Sequence, residues 1–298
     1  MNLKSKAQGD ALIKLEADLA KYEGSDKIIS SKEAVELLLQ DKKHQSVFST
    51  GILSLDKLLG GGTEEGELII VSGPTGYGKT TLLISITDNM AKKDIKTAWF
   101  SFEITKRQFF KKFNFEPPLF YVPADFPSNK LEWLEERILE AVVKFNVKII
   151  FIDHLHFLFN LSHIRNTSLE IGELVAKIKE IALINNLTIF LVVHPKMSDR
   201  ESSEDPHHDD LRDSGLVAQY ADTCIMIWRV PNTWHPKMKK KELREITQED
   251  TRARVRITKN RREGTVGYFM MSYTGRFLED DGLYVAPKEE VKPESITW

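Results

Sequence analysis

Leu68-Ile-Ile-Val-Ser72, then Gly73-Pro74-Thr75-Gly76-Tyr77-Gly78-Lys79-Thr80, then Thr81-Leu-Leu-Ile-Ser-Ile86 is the stretch that decides the fold. An apolar run of strand length meets a turn that fits G-x-x-x-x-G-K-[ST] at every fixed position, and a helical run begins at once. That order makes a P-loop. Its glycines let backbone N–H groups turn inward around phosphate oxygens, and the helix N-terminus adds the positive end of its dipole. Gly73, Pro74, Thr75, Gly76, Tyr77, Gly78, Lys79, Thr80 and Thr81 are therefore the expected nucleotide-binding residues. Lys79 is expected to reach the β/γ-phosphates and Thr80 to hold Mg²⁺, which makes ATP (or another NTP) and Mg²⁺ the expected cofactors.

Outward from the P-loop, apolar strand candidates alternate with helical stretches: Thr97 to Phe102, Leu119 to Val122, Val147 to Asp153, Leu187 to Val193, Asp222 to Arg229 and Arg252 to Lys259. Strands separated by helices predict βα units, an α/β fold and a mostly parallel central sheet. Arg252 to Leu278, with turns at Glu263-Gly264 and Thr274-Gly275, predicts an antiparallel extension. Residues 1 to 47 carry no strand pattern. Leu12, Ile13, Leu15, Leu19 and Tyr22, and then Ala34, Val35, Leu37, Leu38 and Leu39, recur at helical spacing, with a break at Gly24-Ser25. The expected organisation is a short helical N-terminal arm (1–47), an ATPase domain (48–286) and a tail (287–298). Such an arm packs either on its own core or on a neighbour.

Mg²⁺ at a P-loop needs a second oxygen ligand at the end of an apolar strand, and Lys148-Ile-Ile-Phe-Ile-Asp153 supplies Asp153. Hydrolysis also needs a base to orient water. Glu103 follows the strand Thr97 to Phe102, so it faces the same crevice in a parallel sheet, although a solvated strand-end carboxylate is the plainer reading of that residue alone.

Composition sets the outer bounds. The chain has 298 residues and a net charge of −2 from 42 Lys+Arg against 44 Asp+Glu, so nucleic-acid binding has to come from a local basic surface. The single cysteine, Cys224, excludes a disulfide scaffold and reads as a small core residue of a reducing compartment. No apolar run approaches the ~18 residues of a membrane span, and the Lys-rich start lacks a signal-peptide core. The expectation is a cytoplasmic protein with no membrane association.

In order along the chain, these pieces resemble the DnaB family of hexameric replicative helicases, whose motor domains are RecA-like, including its short phage and Twinkle-like members. Ser49-Thr-Gly-Ile-Leu-Ser-Leu-Asp56 is similar to the family's entry strand, and Ser101-Phe-Glu103-Ile to the element that carries its catalytic base. Ile152-Asp153-His-Leu-His156 resembles its Walker B segment, and Val192-Val-His194-Pro-Lys196 its γ-phosphate sensor. Asp210-Leu-Arg-Asp-Ser-Gly215 through Asp222 is close to the family's "D-L-R-E-S-G…Q-x-A-D". Lys259-Asn-Arg261 followed by Gly264-Thr-Val-Gly267 resembles the basic finger that reaches the neighbouring subunit's ATP.

The resemblance implies a RecA-like P-loop NTPase core in a ring homo-oligomer, a hexamer in the family, in a bacterial or phage-infected cell. It implies a helicase translocating 5′→3′ on single-stranded DNA and unwinding duplex in replication, with a primase or polymerase as further partners. Glu103, Lys79, Asp153, His194, Arg261 and Lys259 would then be catalytic, Thr80 and Asp153 the metal ligands, and Arg229 a stacking partner for the base. Lys196, Arg200, Arg212 and Gly215 would contact DNA from channel-facing loops, the alternative for that acidic stretch being a solvated loop. His154, His156, His207 and His208, with no cysteine beside them, read as satisfied or solvated. Trp133, Trp228, Phe109, Phe110, Phe113 and Phe115 read as core or interface residues. The rival is a RecA-fold ATPase of the KaiC or RadA type, acting in recombination or regulation without unwinding.

Overall fold

The computed structural model describes residues 15–16, 18–24, 27–40, 46–126, 131–155, 167–194, 214–231 and 251–284. The chain divides into two compact units, Met1–His44 and Gln45–Trp298. The first contains the helix α1 (Ser31–Gln40), on which Val35, Leu37 and Leu39 are exposed.

The second unit runs β1 (Val47–Phe48), α2 (Leu53–Leu58), β2 (Thr63–Glu64), β3 (Leu68–Ser72), α3 (Lys79–Ala91), β4 (Thr97–Ser101), α4 (Lys106–Lys111) and α5 (Leu131–Phe145). It continues through β5 (Ile149–Asp153), α6 (Thr167–Ile184), β6 (Thr188–Val193), α7 (Ser214–Tyr220), β7 (Thr223–Pro231), β8 (Thr251–Asn260), β9 (Gly267–Tyr273) and β10 (Leu278–Tyr284). Eight strands form one sheet in the order β10-β9-β8-β7-β3-β6-β5-β4. From β7 to β4 every pairing is parallel, and from β7 to β10 every pairing is antiparallel. The expected RecA-like α/β architecture with an antiparallel C-terminal extension is the one found.

The strands of the parallel half read as unbroken apolar runs because both of their faces are covered. Ile70, Ile150, Ile152, Ile189 and Leu191 pack on one side with α5 and α6, whereas Ile69, Val71, Phe151, Phe190 and Val192 pack on the other with α3. On that second side Trp99 stacks on Phe151 and donates its indole N–H to Thr87 Oγ1 at 2.9 Å, which ties β4 to α3. Phe109 and Phe113 are buried there, but Phe115 is exposed, so the expected aromatic cluster is only partly core. Among the described residues no helix is long and apolar enough to cross a membrane.

Two expectations are corrected. Ser49 to Asp56 is not an entry strand: only Val47–Phe48 pairs, and Leu53–Leu58 is helix. The reason is Asp56, whose carboxylate turns back to accept from Ser49 Oγ at 2.6 Å and from Thr50 N–H and Oγ1 at 2.8 and 2.7 Å. Leu119 to Val122 makes a single bridge, Tyr121 to Ala98, because prolines at 117, 118 and 123 remove the donors a longer strand would need.

At the end of the sheet remote from the P-loop, Asp222 holds three elements together. Its carboxylate accepts from Leu68 N–H (2.8 Å) at the start of β3, from Lys179 Nζ (2.5 Å) on α6 and from Arg261 (3.3 Å) after β8. Asp222→Ala would leave the largely buried Lys179 ammonium without its counter-charge, keeping the Gly66 carbonyl (2.7 Å) as an acceptor, and would leave the buried Leu68 N–H without its side-chain acceptor. The expected loss is about 3 kcal/mol of stability by urea unfolding, and a loss below about 1 kcal/mol would make this network peripheral to the fold.

Candidate active site

The site is built where β3, β5, β6 and β4 end. Their register aligns Ser72 with Val193 and Ser101 with Asp153, so the residues that follow each strand emerge at one level. In an open α/β sheet that C-terminal edge is where a ligand crevice forms. The cleft here, about 540 Å³, is lined by the P-loop residues Thr75 to Thr81 with Glu103, Asp153, His194 and Arg229. The sequence-predicted residues of the nucleotide site are thus brought together.

The P-loop takes its shape from glycines in conformations that side chains avoid: φ is +152° at Gly73, +81° at Gly76 and +103° at Gly78, which caps α3. Lys79 folds back over the turn and donates to the carbonyls of Gly73 (2.7 Å) and Pro74 (3.1 Å). Burial holds its ammonium below the ordinary lysine range, opposed by the charges of Asp153 and Glu103. Thr80 Oγ1 donates to Asp153 Oδ2 at 2.8 Å. Burial pushes the Asp153 carboxyl up, the Thr80 hydrogen bond works against the rise, and nearby Glu103 adds to it. Asp153 Oδ1 is buried and makes no hydrogen bond among the described residues.

These features fit Mg²⁺ and a phosphate chain. A hydroxyl and a carboxylate 2.8 Å apart, with one carboxylate oxygen left over, form a hard oxygen donor set, and a desolvated lysine lies beside a loop whose glycines adopt left-handed backbone conformations. Glu103 is placed by its neighbour: Phe102 N–H donates to the Asp153 carbonyl at 2.7 Å, which brings the first residues beyond β4 over the end of β5. His194 follows β6 directly, with its ring edge-on to that of His154 at 4.2 Å.

Other expected residues lie elsewhere. Lys259 and Arg261 sit at the opposite edge of the sheet. Lys259 Nζ donates to the carbonyls of Ala218 and Ala221 (2.6 Å each) at the end of α7, and Arg261 pairs with Asp222 and with the Gln219 carbonyl. Neither can reach the P-loop of its own chain. Gly215 is exposed on α7, while Lys196, Arg200 and Arg212 lie outside the described residues. The cleft also takes in Lys112, Arg252, Ala253, Tyr273 and Leu278, which sequence reasoning missed. All but Lys112 belong to β8, β9 and β10, which reach the P-loop only through sheet register. Leu278 N–H donates to Ser85 Oγ on α3 at 2.9 Å, and no short motif announces such a contact.

The model of the DnaB-like helicase C terminal domain matches residues 48–116 and 120–279. The chain belongs to that family. It is 25% identical over 243 residues to the replicative DNA helicase DnaB of Rickettsia typhi, which covers 68% of this chain and 49% of that protein. It is 27% identical over 191 residues to the DNA repair protein RadA of Campylobacter jejuni, covering 62% of this chain and 42% of that one. Among solved structures, a DnaB-like replicative helicase described with its interactions with primase superposes with a TM-score of 0.65 at 14% identity, over 90% of this chain and 71% of that one. The chain therefore spans about half or less of the curated relatives' lengths. This DnaB-like domain has the RecA-like fold, and the family it belongs to uses nucleotide and Mg²⁺ generally.

The raised Asp153 carboxyl has a consequence for the nucleotide-free protein. Folding disfavours the ionised form, so this group's contribution to stability is full below the ordinary carboxylate range and is lost as pH rises through its elevated folded value. At neutral pH, Asp153→Asn is expected to raise the melting temperature of the nucleotide-free protein, by roughly 2–4 °C for each kcal/mol relieved, and to remove the added stabilisation by Mg²⁺-nucleotide. A lower melting temperature for the variant in calorimetry would show that the carboxylate is already compensated.

Proposed function

We propose that this domain hydrolyses Mg-ATP and, assembled as a ring, translocates on single-stranded DNA to unwind duplex DNA during replication, with the 5′→3′ direction of its family. The observation that carries the reading is the convergence of Lys79, Thr80, Asp153, Glu103 and His194 on one crevice at the strand ends. Lys79 opposes the charge of the β/γ-phosphates. Thr80 and Asp153 hold the cation, which supplies charge neutralisation at the phosphates. Glu103 takes the proton of the attacking water, and His194, in the sensor position, passes the state of the γ-phosphate to the segment that follows β6. Lys196, Arg200 and Arg212 in the following segments, with Gly215, are the proposed DNA contacts, and Arg229 the contact to the base.

Lys259 and Arg261 act in trans in this reading. Their position at the sheet edge away from their own P-loop supports service to a neighbour's nucleotide, where an always-charged guanidinium stabilises transition-state charge by a factor of roughly 10³ or more. A second reading, a RadA- or KaiC-type ATPase that does not unwind, is favoured by the similarity to RadA.

Lys79→Ala is expected to abolish ATP hydrolysis while leaving the circular-dichroism spectrum and melting curve near wild type; near-normal turnover would remove the P-loop from the chemistry. Forked duplexes with 5′ or 3′ tails separate the two functional readings: unwinding of the 5′-tailed fork supports the helicase, whereas DNA-stimulated hydrolysis with no strand separation on either fork supports the RadA-type alternative. For the trans finger, Arg261→Ala and Lys79→Ala proteins should each be inactive alone yet recover partial ATPase when co-assembled. Mixed rings no more active than either parent would place Arg261 outside the neighbour's site.

A further inference from the structure

Glu103, His154 and His194 come together although they are far apart in the chain. They follow the ends of β4, β5 and β6, which are adjacent in the sheet, and one ligand atom from each lies within 4.8 Å of the others. The two rings meet edge to face at 4.2 Å, His154 is buried, His194 half-buried and Glu103 exposed. Asp153, one residue before His154, belongs to the oxygen donor set described above, so two chemically different donor sets lie side by side. A hard ion such as Mg²⁺ prefers the carboxylate and hydroxyl, whereas two imidazoles with one carboxylate suit a borderline ion.

We propose that Glu103, His154 and His194 form a second cation site, for Zn²⁺ or an ion of its class, and that filling it stops hydrolysis by occupying the base and the sensor together. Two histidines and one glutamate leave a coordination position open for water. Tetrahedral bonds of about 2.0 Å put donor atoms about 3.3 Å apart, so the three groups need to close by at most about 1.5 Å from separations within 4.8 Å. The exposed Glu103 side chain is free to supply much of that movement, while the backbone of all three is held at the strand ends. A thiolate competitor is absent from the core: Cys224, the chain's single cysteine, is buried, and burial pushes its thiol up to about 12. The inhibitory part of the proposal rests on the hydrolytic reading above; the binding part does not.

Co²⁺, a coloured stand-in for Zn²⁺, titrated into the full nucleotide-free chain should give the intense visible band of a low-coordinate site, displaced by Zn²⁺. His154→Gln and His194→Gln should each lose the band and weaken Zn²⁺ binding in calorimetry at least tenfold. Thr80→Ala, which alters only the oxygen donor set, should keep both, with circular dichroism checking that every variant is folded. In ATPase assays with excess Mg²⁺, Zn²⁺ should inhibit the wild type, and its half-inhibitory concentration should rise at least tenfold in His154→Gln. No band in the wild type, or a band unchanged in both histidine variants, would overturn the site. Binding as expected but without inhibition would overturn the inhibitory role. A wild type without ATPase activity would fail the proposed function, and the absorption band would still decide whether the zinc site exists.

Discussion

The crevice depends on how closely two backbones approach. A Cβ on Gly73 would lie 2.0 Å from the carbonyl oxygen of Ile227, and one on Gly78 would meet the Ile227 side chain at 3.5 Å. The register that pairs Ser72 of β3 with Met226 of β7 makes this contact unavoidable, because the next residue on each strand is Gly73 and Ile227. No side chain fits at Gly73, so β7 serves as the wall against which the P-loop folds. The pairing of those two strands therefore sets where the P-loop stands.

The crevice holds an electrostatic arrangement that folding alone does not favour. A lysine held below its ordinary range and a carboxyl pushed above its own are both buried by the same strand ends. Only partial compensation comes from the Gly73 and Pro74 carbonyls and from Thr80. An anion beside Lys79 and a cation beside Asp153 would each relieve a cost already present, so part of the binding free energy comes from interactions the protein leaves incomplete. The same logic explains why the site stands on strand ends and not on free loops: groups held this poorly stay in place only if their backbone is rigid.

Much of this was legible in the sequence because its signals are short-ranged. The P-loop occupies consecutive residues, and Asp153 and Glu103 follow apolar runs that could only be strands. The parallel sheet followed from both-face burial, which erases the alternation a half-exposed strand would show. Contributions from β8 to β10 were illegible: Arg252, Tyr273 and Leu278 reach the cleft through antiparallel register, which no local pattern encodes. His154 illustrates the same limit. It read as a satisfied or solvated histidine, and only the adjacency of β5 and β6 sets its ring against His194. The entry segment failed for the opposite reason, since one carboxylate, Asp56, collects enough local hydrogen bonds to turn an apparent strand into a turn and helix.

Cys224 stands in the middle of the sheet, paired with Ile70 on one side and Lys259 on the other, under a face of packed apolar side chains. With its thiol pushed up to about 12, almost none of it is thiolate near neutral pH, and burial closes the route to any reagent. Alkylation of the native protein would thus be silent, and labelling would occur only in molecules whose central strands have separated. The chain carries its own built-in reporter of global opening, and a second cysteine placed on its surface would accept a dye without background.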